Sequence, residues 1–332
     1  MPSTYDDFPP RASLPFHPNA SHRAHTPLFN QNFTPRFLYR LVAPQYVTTS
    51  APSPIIPHAP PDNTQDIFDL PSPKAAAVLL KHLLWQRGHE DGCNLMSWTS
   101  SLLFALQYAL YRHSKVGNDL GQIYLIILDT NAFPPGTFIQ DMEVMRAFQD
   151  SDIKLQKFVE FRESEYYFGE YLTQGGLDIK GQCTFTSVQL IIQLGLFDLQ
   201  PALAEQSQWS CWPKRVLDFR RLFEDQKAVP TTDGDIEVAV DIARHCFGGK
   251  WVVPATIMLL ALQPRNRDDR AIVQGFKERF TEVRHTGLHR MRVDTQRLPE
   301  VRQFKWLVEL IQHSYELYDY QSLVDSVQDL KV

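Results

Sequence analysis

Three places along the chain carry side chains that could do chemistry. Arg40 stands in an apolar run at residues 36–42, and Glu170 in another at residues 166–172. Both runs read as strands. Alternation puts Arg40 on the face of Leu38 and Val42, and Glu170 on the face of Phe168 and Leu172. A charge on a buried face must find a partner or shift its pKa, so the two are expected to meet in one cleft. The third place is the polar run Ser97, Trp98, Thr99, Ser100, joining a strand to a helix. Its hydroxyls, with the free N–H groups of the helix start, suit an amide or an anion.

Each place also has a plainer reading. Arg40 and Glu170 can be structural ion-pair partners, and residues 97–100 can be a helix cap. Tyr166, Tyr167 and Tyr171 suit strand packing as well as a stacking platform. The segment from His89 to Cys93 reads as a polar turn after a helix rather than a Cys/His site. Asp268 and Asp269 read as a helix start rather than a metal site.

The elements that position these residues follow from period and punctuation. A strand at 36–42 is followed by a proline-rich loop to about residue 61. Ser72 caps a helix with Pro73 in its first turn, ending at Gly88. A short strand spans 94–98, and Thr99 or Ser100 caps a helix reaching about residue 113. Residues 122–128 form a central buried strand, and a helical stretch runs from Asp141 to about Glu160. Residues 187–194 and 213–223 read as helices. Beyond a linker at 226–234 the pattern is helical: 236–246, 254–262, 269–280, 299–318 and a final short helix. The expected fold class is α+β, a mixed sheet with flanking helices over residues 34–226, then a small helical domain at 227–332. Fifteen of the 23 prolines lie within residues 1–73, and residues 1–33 lack an apolar period, so they read as a disordered tail.

Composition excludes several classes. The net charge of −5 argues against wholesale capture by DNA. No apolar run reaches the roughly 18 residues a membrane span needs, and the N-terminus lacks a signal pattern, so a cytoplasmic protein without a membrane partner is expected. The four cysteines form no CxxC pair, and no metal is expected.

The order of elements resembles the ADP-ribosyltransferase superfamily and its Arg–Ser–Glu pattern. Leu38, Tyr39 and Arg40 resemble its first motif, residues 96–101 its Ser-Thr-Ser strand, and residues 168–172 the segment with its catalytic glutamate. The resemblance covers about residues 36–200. It implies that NAD is the substrate and that ADP-ribose goes to an acceptor. Glu170 would stabilise oxocarbenium charge and bond the ribose 2′-OH, and Arg40 would clamp the pyrophosphate. Ser97 and Thr99 would position the nicotinamide, with Trp98, Tyr166 or Tyr167 stacking on it. Phe168 departs from the family's Gln or Glu, the side chain that engages the acceptor. The whole chain also resembles a fungal family with a Gly-Glu-Tyr-Leu-x-Gln-Gly segment.

Between Arg265 and Lys305 there are eleven Lys/Arg against six Asp/Glu. That excess, including Arg284, Arg290 and Arg292, reads either as a solvated helix face or as a patch for RNA. It keeps open a second class, resembling the fungal arginine-containing cyclodipeptide synthases of secondary metabolism, which use charged tRNA. Their Asp-Asp-x-x-Glu motif is absent, since the residues ending at Glu170 are Tyr166, Tyr167, Phe168 and Gly169. A third class is a non-catalytic binding protein that keeps the fold.

Overall fold

The computed structural model describes residues 13–43, 65–86, 93–225, 228–280, 291–295 and 297–329, with side chains as far as residue 316. It is a mixed α/β protein with one open antiparallel sheet of six strands. These are β1 (Phe37–Val42), β2 (Leu95–Thr99), β3 (Tyr124–Asp129), β4 (Ile139–Gln140), β5 (Glu170–Gln174) and β6 (Cys183–Ser187), in the order β4-β5-β2-β1-β3-β6. The chain divides into two compact units. One is Met1–Ser100 with Ile126–Cys183; the other is Ser101–Leu125 with Thr184–Val332. A boundary near residue 226 is therefore not where the chain divides, because the second unit takes segments from both sides of it.

In the first unit, β2 is central. It pairs antiparallel with β1 through Tyr39 opposite Thr99, and with β5 through five consecutive pairs from Leu95–Gln174 to Thr99–Glu170. Leu38, Leu79, Met96, Trp98, Phe148 and Tyr171 are among its fully buried side chains. The strand expected at 166–172 begins only at Glu170. Gly169 holds a φ of 67°, the left-handed region that glycine enters without strain, and turns the chain there. The helical stretch expected from Asp141 is two helices, Asp141–Phe148 and Ile153–Glu163. Asp152 breaks it, with extended backbone and a side chain that accepts from the N–H groups of Lys154 and Leu155.

The described part of the expected disordered tail is ordered. Leu14 bridges Gln174, Phe16 is 2% exposed, and Thr26 is fully buried. Glu143 accepts hydrogen bonds from the N–H groups of Leu28 (2.6 Å) and Phe29 (3.1 Å) at the start of the short helix Pro27–Asn30. Apolar period misses this segment because single anchors, not a stripe, hold it down.

The second unit is mainly helical. Ser101, not Thr99 or Ser100, caps the helix Leu102–Tyr111. Its hydroxyl also donates to Glu300, which receives a forked pair from the buried Arg220 at 2.9–3.3 Å. Asp269 caps the helix Arg270–Arg279, and Thr232 opens Asp233–Cys246 with a capping box. The last two helical segments expected from sequence are a single helix, Pro299–Asp329.

Candidate functional site

Register decides whether Arg40 and Glu170 meet. Directly opposite residues of an antiparallel pair share a face. Tyr39, Thr99 and Glu170 therefore lie on one face of β1, β2 and β5. One step along the same ladder sets Arg40 beside Trp98, opposite Tyr171, on the other face. The guanidinium agrees: it lies 5.7 Å from the centroid of the Trp98 ring and donates to the Ser97 carbonyl at 2.5 Å. The shared cleft of Arg40 and Glu170 is corrected accordingly. Alternation along one strand cannot decide this, because only pairing fixes the relative parity of two strands.

Glu170 has a different partner. The Arg162 Nη2 lies 2.7 Å from its Oε2, and Arg162 Nε lies 3.8 Å from the fully buried Asp141. Arg162 also sits over the rings of Phe158 and Phe168, at 5.4 and 5.7 Å. Cationic stacking and a charge-assisted bond together offset the desolvation of this guanidinium. Thr99 donates to the Phe168 carbonyl at 2.7 Å. Tyr39, on the same face, has its hydroxyl pKa pushed up by burial.

The aromatic candidates each have partners within the first unit. Tyr166 stacks on Phe161 at 4.4 Å, Tyr167 accepts from the Gln140 amide at 2.6 Å, and Phe168 is 4% exposed. Trp98 donates its indole N–H to Thr173 at 3.1 Å. Arg292 is exposed, whereas Arg284 and Arg290 lie outside the described residues. Arg265, counted in the same basic segment, is buried against Asp235 at 3.0 Å.

Ser97 does collect a titratable neighbour that sequence period alone does not offer. His82, 1% exposed, is in the last turn of the helix Ser72–Leu83, and its Nε2 lies 2.8 Å from Ser97 Oγ. The other ring nitrogen, Nδ1, lies 3.4 Å from Cys93 Sγ. Cys93 and Ser97 are both half-buried. The missed signals were a histidine on the apolar face of Ala75, Leu79 and Leu83, and a cysteine an even number of residues before Ser97. His89, the imidazole read beside Cys93 in the sequence, lies outside the described residues. Among the described residues no three His, Cys, Asp or Glu side chains group as metal ligands, and no helix is long and apolar enough to cross a membrane. No family model, curated protein or solved structure matches the chain.

Proposed function

We propose that the chain is a transferase of acyl groups, taking an aminoacyl ester as donor, rather than an enzyme that cleaves NAD. One observation carries the reading: a buried imidazole, His82, lies within hydrogen-bond reach of the Ser97 hydroxyl. Acyl transfer needs a base beside a nucleophile or its orienting group. Ribosyl transfer needs a cation and a carboxylate around one dinucleotide, yet Arg40 and Glu170 face opposite sides of the sheet. The basic segment with Arg284, Arg290 and Arg292 would hold the polyanionic carrier of the ester, a charged tRNA.

The test gives the purified full chain charged tRNAs in one reaction and NAD in another. Loss of the aminoacyl group to a peptide product, abolished in His82→Ala, is the expected result. Arg292→Glu should weaken tRNA binding and flatten its salt dependence by roughly one unit of slope. Nicotinamide release that Glu170→Gln abolishes would overturn the reading in favour of ADP-ribosyl transfer. A second reading, a non-catalytic binding protein, is favoured by the bond that already engages Glu170 with Arg162. It would stand if neither substrate bound nor reacted.

A further inference from the structure

We propose that Cys93 is the nucleophile of this site, with His82 as its base and Ser97 as the positioning residue that orients the ring. The inference rests on the acyl-transfer reading above and names the atom that carries the acyl group. The imidazole joins two groups, Cys93 Sγ at 3.4 Å from Nδ1 and Ser97 Oγ at 2.8 Å from Nε2. One neutral ring can be base to only one of them. If Nε2–H donates to Ser97, Nδ1 carries the lone pair and faces the thiol. In the other tautomer, Nδ1–H faces sulfur and Nε2 faces the serine hydroxyl. A thiol ionises near pH 8.5 in model peptides and is the strongest of the common nucleophiles at neutral pH. The first tautomer therefore gives the reactive arrangement, in which a nucleophile meets a base that a third group holds in place.

Two of the three residues stand on regular elements. His82 projects from the helix Ser72–Leu83, Ser97 lies inside β2, and Cys93 sits two residues before that strand. Cys93 is half-buried, not fully enclosed. Cys246 differs, since it is buried and burial raises its thiol pKa. Cys183 and Cys211 are half-buried like Cys93, which makes them internal controls.

The step balances without an oxidant or reductant. The Cys93 proton passes to His82 Nδ1 as sulfur attacks the carbonyl carbon of an oxygen ester. The C–S bond forms and the C–O bond breaks. The leaving alkoxide takes the proton from Nδ1 and departs as an alcohol. An acceptor amine then attacks the thioester, C–N forms and C–S breaks, and the amine proton returns through His82 to the thiolate.

The experiment uses the full chain with p-nitrophenyl acetate as ester and iodoacetamide as thiol probe, with sites located by peptide mass mapping. One acetyl group per chain on Cys93 is expected. Alkylation of Cys93 at neutral pH should be at least ~10-fold faster than that of Cys183 or Cys211. His82→Ala and Ser97→Ala should lower this rate, Ser97→Thr should restore it, and Cys183→Ser and Cys211→Ser should leave it unchanged. If His82→Ala does not fold, the acetylation site in the native chain and the Ser97 series still decide. Acetyl on Ser97 with Cys93 unmodified would overturn the inference while leaving acyl transfer standing. Cys93 alkylation no faster than that of the controls would also overturn it. Acetylation of Cys93 without any reaction of charged tRNA would support the nucleophile and remove the proposed donor.

Discussion

Arg162 is held from several sides at once. Glu170 takes its Nη2, Asp141 lies beside its Nε, and the rings of Phe158 and Phe168 lie near its guanidinium. Removing one partner from a buried pair costs more than the pair contributes, because a charge is stranded. Arg162→Met should therefore lower stability by about 3–5 kcal/mol. Glu170→Gln, which keeps an acceptor for Arg162, should cost about 1–2 kcal/mol. Urea midpoints would check both, and an Arg162→Met shift no larger than that of Arg40→Met would sink the argument. At this scale the sequence was informative about which residues are unusual. Arg40, Ser97 and Glu170 stand out because their types conflict with their apolar surroundings, and each has a specific polar partner. The partners were not legible. Arg162 stands eight residues from Glu170 on a different element, and His82 reaches Ser97 from a helix fifteen residues earlier in the chain.

Elements were legible where a local signal exists and displaced where a neighbour decides. Strand β1 lies where its period puts it, while the helix Ser72–Leu83 takes Ser72 as its first residue rather than its cap and ends five residues before Gly88. Strand β4 has two residues and forms only because β5 offers an edge, so no pattern could announce it. The segment at residues 13–33 is the clearest case, since distant anchors hold it, Glu143 among them. That carboxyl is pushed up to about 7, mainly by burial, which outweighs the N–H bonds from Leu28 and Phe29 and the nearby Arg146. The folded chain therefore keeps a proton that the unfolded chain loses above the ordinary value of 4.5. The stability this confers is full below that value and is lost as pH rises towards 7, on the order of 3 kcal/mol in all. Glu143→Gln stays neutral and keeps an acceptor, so it should flatten the fall of the urea midpoint between about pH 5 and pH 7. An unchanged slope in the variant would show that another group sets it. Residues 13–33 should also resist limited proteolysis in the native chain, as buried Phe16 and Thr26 require.

At the scale of the whole molecule, the chain enters the second unit at Ser101, leaves it after Leu125 and returns at Thr184. Contiguous domains were the natural reading of a chain whose last hundred residues turn helical after a polar stretch. Composition cannot show that an early helix, Leu102–Tyr111, belongs with the late ones. The polar core of the second unit displays the consequence. Ser101 and Arg220 both bond Glu300, which lies at the start of the helix Pro299–Asp329. A fragment ending at residue 226 keeps Ser101 and Arg220 and loses Glu300, along with the fully buried Ile236, Phe276 and Leu307. Arg220 is 5% exposed in the intact chain. Without its carboxylate it must reach water or remain as a lone buried charge, at a cost of about 3–5 kcal/mol. That loss is comparable to a large part of an ordinary domain's stability. The 1–226 fragment should accordingly lose cooperative unfolding, bind a hydrophobic dye, and be cut by trypsin within residues 101–125 and 184–225. A fragment that unfolds cooperatively with these segments protected would restore the boundary at residue 226.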